Sequence, residues 1–372
     1  MLPQWYPPAA DQPRSGVDGE FVREHARAVS RFDDVVVLHT SVSPTRSATT
    51  AMRRDVEDGV VTYRARLPNL PIPRLSGLLL PVGTLAAIAR VVGDWGLPDV
   101  VHAQDHAAMR AAIAAGAMRV PFVVSQHWSG FARGVLTRRD RVAFSFALPR
   151  AHSVLAIHPD AAEHMRAYRI HCNVQPLVNT VDTAQFVYGH GPRTGLLHAS
   201  GMTEEKRVED LIRGFAILVR RRPDATLTIA GDGPRRGRYE SLARELTPAG
   251  AVRFVGFVAK HELASLMREA AGFVLTSIIE TFGCVLIEAM ASGCPVITTS
   301  VGGIPRVVRE GEGLYIDGCD HEGIADAMQR VLEGQHGLDL EAIATSVKDR
   351  YSHEAVGRQL AAAHKAAVDA QL

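Results

Sequence analysis

The sequence predicts an α/β fold of two doubly wound, Rossmann-like domains facing a cleft. Three observations carry that expectation. Short β-branched runs alternate with helical stretches from end to end, the pattern of parallel sheets covered by helices. The chain has 372 residues, enough for two domains with separate cores. Between the halves lies a weakly periodic stretch, Val178 to Thr194, which holds Asn179, Asp182, Gly189, Gly191 and Pro192 and reads as a linker.

The elements follow in order. Strands are expected at Val35–His39, Val60–Arg64, Val100–Ala103, Phe122–Ser125 and Ser153–Ile157, with helices at Gly19–Ser30, Gly83–Gly93, Ala107–Ala115 and Arg138–Ala147. The second half repeats the rhythm more sharply. Its strands are Gly195–Ala199, Ala225–Ala230, Val252–Val255, Gly272–Thr276 and Pro295–Thr299; its helices are Val208–Arg221, Tyr239–Leu246, His261–Ala270, Gly283–Ser292 and Ile324–Leu332. The expected domains are residues 1–180 and 181–350, with a C-terminal helix over 351–372 packing back on the N-terminal domain. Only Met1–Leu2 precedes the loop Trp5 to Gly19, so the opening strand of the first domain is expected to be truncated.

Composition narrows the classes. Hydrophobic residues are 47% and charged residues 22%, the balance of a soluble globular protein. Lys+Arg is 41 against Asp+Glu 40, so no global field draws the chain to nucleic acid, and an anionic ligand must be held locally. Cys172, Cys284, Cys294 and Cys319 form no C-x-x-C pair and read as small buried thiols of a cytoplasmic protein. The start lacks a basic region and an apolar run, so no signal peptide is read there. The most apolar stretch, Leu75 to Val92, is interrupted by Gly77, Pro81 and Gly83 and falls short of the ~20 apolar residues of a spanning helix. A core helix is the expectation; peripheral contact at the inner face of a membrane is the alternative.

The segment Glu280-Thr281-Phe282-Gly283-Cys284-Val285-Leu286-Ile287-Glu288 carries the chemistry. A strand ends just before it and a helix begins near Gly283, while Gly293 and Pro295 terminate that helix. Its first backbone N–H groups, on Gly283, Cys284 and Val285, have no intrahelical acceptor, and with the helix dipole they make an anion site. Gly283 lets a phosphate approach the backbone. Glu280 stands just outside, where a sugar on that phosphate would sit. Glu288 lies roughly 7–8 Å along the axis, placed for a ribose diol, whose two hydroxyls a carboxylate can accept together. Two glutamates at this spacing could instead mark a solvated face, but the residues between them are almost all apolar, and a carboxylate in such company needs partners.

Glu280-x7-Glu288 enclosing Phe282-Gly283, followed by Ala289-x-Ala291-x-Gly293-x-Pro295, resembles the large family 4 of retaining GT-B glycosyltransferases. The resemblance includes Arg222-Pro223-Asp224, Ile229-Ala230-Gly231-Asp232-Gly233-Pro234, Val255-Gly256-Phe257 and Ser300-Val301-Gly302-Gly303-Ile304-Pro305. It is close over Leu196 to about Leu332 and looser before. It implies that Glu280 contacts donor-sugar hydroxyls, that Glu288 holds the nucleotide ribose, and that the amides of Phe282, Gly283, Cys284 and Val285 hold the diphosphate. It implies a phosphate-binding lysine at Lys206. The family arginine position falls on Gly201, so that charge is missing, and Arg207 is expected to point elsewhere. Arg306 stands where many relatives are acidic, and no role is carried over to it.

In the first half the resemblance is to members opening with Trp-Tyr-Pro and a Gly-rich loop, here Trp5 to Gly19 with Gly16 and Gly19. Gly19 is expected to let the backbone approach the donor diphosphate; a plain turn glycine is the competing reading. His127 follows a strand end and matches a family histidine lying against the reacting sugar, with Trp128 beside it as a ring face for an acceptor. His102, Asp105 and His106 follow another strand end and are further acceptor-side candidates. Arg133, Arg138, Arg139 and Arg141 form a basic cluster that could meet an anionic acceptor or a lipid surface, or be a solvated helix face.

The expected activity is transfer of a sugar from a UDP- or GDP-sugar, with retention and without an obligatory metal or cofactor, to an acceptor that the sequence leaves open: a glycan, a lipid-linked group or a small metabolite. Glu280, His127 and Lys206 are the catalytic candidates. Two alternatives keep the fold: a nucleotide-sugar epimerase or phosphorylase, and a non-catalytic nucleotide-binding partner subunit. A dehydrogenase is disfavoured because no Gly-x-Gly-x-x-Gly follows an early strand.

Overall fold

The computed structural model describes residues 1–3, 6–7, 19–42, 51–67 and 73–371. Trp5 and Gly16, singled out in the sequence, lie outside the described residues. The chain divides into two compact units: residues 1–180 with 353–372, and residues 181–352.

The first unit runs α1 (Glu20–Val29), β1 (Val36–Val42), β2 (Ala51–Glu57), β3 (Val60–Leu67), α2 (Pro73–Trp95), β4 (Val101–Gln104), α3 (Ala108–Met118), β5 (Phe122–Gln126), α4 (Gly130–Arg133), α5 (Arg138–Ala147), β6 (Ser153–Ala156), α6 (Ala161–Ala167) and β7 (Val174–Pro176). Strands β4, β5, β6 and β7 pair in that order, all parallel. Strand β1 pairs with β3 in parallel, and β2 returns antiparallel on β3 through Asp58–Gly59, both at positive φ. Met1–Leu2 lies between these groups: the Leu2 N–H donates to His102 O at 2.7 Å, and Leu38 N–H donates to Met1 O at 2.9 Å. The Met1 amine is buried there, and loss of solvation pushes its pKa down to about 5.

Strands β4 to β6 are buried on both faces, as runs such as Phe122-Val123-Val124 require of a parallel sheet. Strand β2 escaped the sequence reading because Ala51–Glu57 is charged and mostly exposed, with no apolar alternation to announce it. The Asp58-Gly59 pair was the available hairpin signal.

The second unit runs β8 (Leu196–Ala199), α7 (Val208–Arg221), β9 (Leu227–Ala230), α8 (Arg236–Leu246), β10 (Val252–Gly256), α9 (Lys260–Glu269), β11 (Gly272–Leu275), α10 (Cys284–Ala291), β12 (Val296–Thr299), α11 (Ile304–Val307), β13 (Leu314–Ile316), α12 (His321–Leu332) and α13 (Leu340–Tyr351). Its six strands lie in the order β10-β9-β8-β11-β12-β13, all parallel. Strand order therefore reverses between β8 and β11, and the loops leaving those two strands diverge at a switch point. Helix α7 shows why the sequence folds this way: Leu211, Ile212, Phe215, Leu218 and Val219 recur at helical spacing and are all buried. Helix α12 packs on it, with Ile324 seated where a side chain on Gly214 would be.

Two expectations need correction. The stretch read as a linker folds into the second unit from Val181 onward. Phe186 is buried, and Arg193 donates to the carbonyls of Gly189, Met267, Ala270 and Ser292. Of the cysteines only Cys294 is buried, while Cys172 and Cys284 are half-buried and Cys319 exposed.

Last, α14 (His353–Asp369) belongs to the first unit and lies along α1. The approach is close because Gly357 faces the Ala28 carbonyl, where an added methyl would sit 2.2 Å from the oxygen. His353 donates to Glu24 at 2.6 Å across the same contact. No helix among the described residues is long and apolar enough to cross a membrane.

Candidate functional site

In the second unit, the loops leaving β8 and β11 bring together residues far apart in sequence. Lys206 ends the short turn Glu204–Lys206 after β8, and its ammonium donates to Glu280, which follows β11. The Ser277 hydroxyl donates to the same carboxylate at 3.2 Å. The loops are tied by Ile278 N–H to Glu205 O at 2.9 Å and by the Thr276 hydroxyl, which faces the carbonyls of Lys206 and Arg207 at 3.1 and 3.0 Å. Glu280 is 11% exposed, so its charge stands in a partly dry setting with one cation and one hydroxyl to hold it.

Gly283 precedes α10 in the left-handed region at φ 86°, which favours glycine. The N–H groups of Cys284 and Val285 precede the first hydrogen bond of this helix start, which Leu286 N–H donates to Gly283 O at 2.9 Å. Phe282 is buried with its ring edge-on to Tyr351 at 5.7 Å, so it presents backbone rather than side chain at this end. Beneath the loop lie Gly302 and Gly303. Methyl groups there would sit 1.9 Å from Glu280 O and 2.0 Å from Thr281 O, and the Gly303 N–H donates to Glu280 O at 3.0 Å. The Gly-Gly pair is thus the floor that lets Glu280 take its position, a role the sequence showed only as part of a motif.

Glu288, on α10, is buried and receives the ammonium of Lys260, the first residue of α9. Lys260 was missed in the sequence. It lies 28 residues from Glu288, and no local pattern distinguishes it from a surface lysine. Arg207 turns away from Glu280 to pair with Asp210, which also accepts from His321 at 2.9 Å. At Gly201 an added methyl would meet no atom within 4 Å.

In the first unit, Asp105 follows β4 and is fully buried at φ 49°. Its Oδ1 accepts the backbone N–H groups of His127 and Trp128 at 2.7 and 2.9 Å, which fixes the loop after β5. Burial pushes its carboxyl up to about 7 against those two hydrogen bonds, which favour the anion. Two of the acceptor-side candidates, His102 and Asp105, are buried. Asp105 is a loop anchor, and His102 is sealed inside the sheet. His106 packs on Trp128 and Phe144 at 4.6 and 5.2 Å. Trp128 is half-buried, with its ring over Gly130.

His127 itself is half-buried and its ring lies against Phe21 at 4.3 Å. Its Nε2 meets Gln104 Oε1 at 3.0 Å. Burial, and then His25, hold its pKa well below the ordinary histidine value, so the ring is neutral at physiological pH. Gly19 caps α1 at φ 73° and is buried, so a left-handed turn accounts for the glycine. Arg133, Arg138, Arg139 and Arg141 are all exposed, and Arg141 lies over the Tyr168 ring at 5.7 Å.

Lys206, Glu280, Gly283 and Glu288 all lie within a segment that matches a known family model. The model for glycosyl transferases group 1 matches residues 187–347, and the model for glycosyltransferase family 4 matches residues 19–185. The chain belongs to glycosyltransferase family 4. Among curated proteins, the family 4 chain is 33% identical over 251 residues to glycogen synthase of Mycobacterium tuberculosis, covering 63% of this chain and 60% of that one. It is 35% identical over 167 residues to N-acetyl-alpha-D-glucosaminyl L-malate synthase of Bacillus anthracis, covering 44% and 43%. It thus spans less than two thirds of the length of these relatives. Its fold is GT-B, shared with sucrose-phosphate synthase from Thermosynechococcus elongatus at TM-score 0.74 and 20% identity, over 99% of both chains. HepE of Anabaena, solved with UDP-glucose, matches at TM-score 0.71 and 18% identity, over 98% of this chain and 99% of that one.

Proposed function

We propose that the chain is a retaining glycosyltransferase that moves a sugar from a UDP- or GDP-sugar to a hydroxyl acceptor. The observation that carries the reading is the constellation around α10: Glu280 held by Lys206 and Ser277 before a glycine-capped helix start, and Glu288 buried farther along that helix. The family 4 relatives named above transfer or build glycosides, and HepE was solved with UDP-glucose.

Glu280 accepts hydroxyls of the donor sugar, and Glu288 accepts the ribose diol. The backbone of Phe282, Gly283, Cys284 and Val285 receives the diphosphate at the helix start, and Lys206 supplies the cation. In the first unit, Gly19 gives a close backbone approach to the diphosphate, and His127 hydrogen-bonds a sugar hydroxyl. The bond between the anomeric carbon and the phosphate oxygen breaks. The acceptor oxygen bonds to that carbon on the same face, and the acceptor proton passes to the departing phosphate. Charge grows on the diphosphate as the sugar becomes cationic, and fixed N–H groups with Lys206 stabilise that charge without reorganising. No metal is required in this scheme, and no cofactor beyond the donor. The acceptor is a glycan, a lipid-linked group or a small metabolite, and the exposed arginines of α4 and α5 suit an anionic acceptor or peripheral contact with an anionic membrane.

Thermal melting with UDP, GDP, ADP and their sugar conjugates tests the donor, because a ligand bound only to the native state raises the Tm by mass action. Glu280→Gln is expected to cut turnover by about 100-fold or more with an unchanged melting temperature. Normal turnover in that variant overturns the reading.

A further inference from the structure

The first unit holds a continuous chain of buried polar groups, running from the C-terminal helix to the loop after β5. Asp33 Oδ2 lies 2.7 Å from His364 Nδ1. His364 Nε2 lies 3.0 Å from His102 Nδ1. His102 Nε2 is 2.7 Å from Ser125 Oγ and 3.5 Å from Gln104 Nε2. Gln104 Oε1 is 3.0 Å from His127 Nε2. His102, Gln104, Ser125 and His364 are all buried.

The chemistry of each link sets a direction. A carboxylate only accepts, so His364 carries a proton on Nδ1, and with that one proton on the ring its Nε2 accepts. His102 must then donate from Nδ1 and accept at Nε2. That nitrogen faces two donors, the Ser125 hydroxyl and the Gln104 amide N–H. The amide in turn presents its oxygen to His127, which donates from Nε2 and keeps a lone pair on Nδ1. His127 Nδ1 is a buried atom without a hydrogen-bond partner among the described residues. Asn179 lies alongside this ring, and its amide can serve as donor or acceptor, so it follows whichever state the ring presents. Every link from His127 to Asp33 points the same way.

We propose that Asp33, His364, His102 and Gln104 are positioning residues that fix the tautomer of His127, with the proton on Nε2 and the Nδ1 lone pair held inside the fold. A primary amide interrupts the chain, so it orients His127 and does not carry protons to it. The effect on transfer rests on the role given to His127 above; the tautomer does not.

The test uses the full chain labelled with 15N-histidine, read by long-range 1H–15N correlation at pH 8.5, above the ordinary histidine range. Wild type is expected to show His127 protonated on Nε2, and His102 and His364 protonated on Nδ1. In Asp33→Ala and in Gln104→Leu, His127 is expected to move to a mixture of both tautomers. The kcat of transfer should fall about ten-fold, with KM for the nucleotide sugar within two-fold of wild type. Wild-type His127 protonated on Nδ1, or a His127 signal unchanged in both variants, overturns the proposal. So does a shifted tautomer with unchanged kcat. If Gln104→Leu fails to fold, Asp33→Ala decides, since Asp33 lies at the surface end, 33% exposed. A wild-type chain with the expected tautomers but no transfer from any nucleotide sugar would instead overturn the proposed activity.

Discussion

The ammonium of Lys260 reaches the carboxylate of Glu288 across 28 residues of sequence, at a side chain only 7% exposed. A carboxylate so buried loses much of its hydration, and the lysine beside it supplies a partner that fixes its orientation. Lys260→Met is expected to weaken binding of UDP or GDP about ten-fold by calorimetry. The loss of stability should be only about 1–2 kcal/mol, because the ammonium is partly solvated. Unchanged nucleotide affinity would separate this ion pair from ligand binding.

The floor under Glu280 gives a contrast between glycines. Gly303→Ala forces a methyl against Thr281 O, where backbone cannot yield, and is expected to cost about 2 kcal/mol or more in urea unfolding and to abolish transfer. Gly201→Arg meets open space at the position of the absent family arginine. It is expected to leave stability within about 0.5 kcal/mol and to lower KM for the nucleotide sugar a few-fold by adding a phosphate-seeking cation. A raised KM there would show that this chain fills the position in another way.

Asp105 makes stability depend on pH in an unusual direction. Its folded-state pKa of about 7 lies above the ordinary carboxyl value, so the native chain binds this proton more tightly than the unfolded chain does. The contribution of Asp105 to stability is therefore full below about pH 4 and lost as pH rises to about 7. Asp105→Asn keeps an oxygen for the His127 and Trp128 N–H groups and removes the charge. Its stability advantage over wild type should grow from pH 5 to pH 8, on the order of 1–3 kcal/mol, in chemical denaturation. A flat difference would show that the carboxyl stays ionised.

Arg193 anchors the start of the second unit through four carbonyls, at 2.8 to 3.4 Å. Lysine has one ammonium where arginine has a planar fork, so Arg193→Lys is expected to lower stability by about 1–3 kcal/mol in urea unfolding. An unchanged midpoint would mean that water replaces the guanidinium at little cost.

The alternation of strands and helices was legible because each depends on spacing within a dozen residues, and so was the Glu280–Glu288 pair with its glycine, because one loop and one helix contain it. Strand β2 was not, since its stability comes from pairing with β3 rather than from apolar alternation. Helix α13 and strand β13 were passed over as well; β13 takes its place by pairing with β12.

The local chemistry around α10 is thus written into a contiguous segment, whose side-chain spacing and capping glycine are set by neighbours along the chain. The partners of that chemistry are not. Lys206 and Glu280 lie 74 residues apart, and His364 and His102 lie 262 residues apart. Such pairs meet because parallel sheets gather the ends of distant strands on one edge and because α14 returns to the unit that holds α1. Hydrogen bonds and ion pairs act over a few ångströms in space, and only folding converts sequence distance into that range.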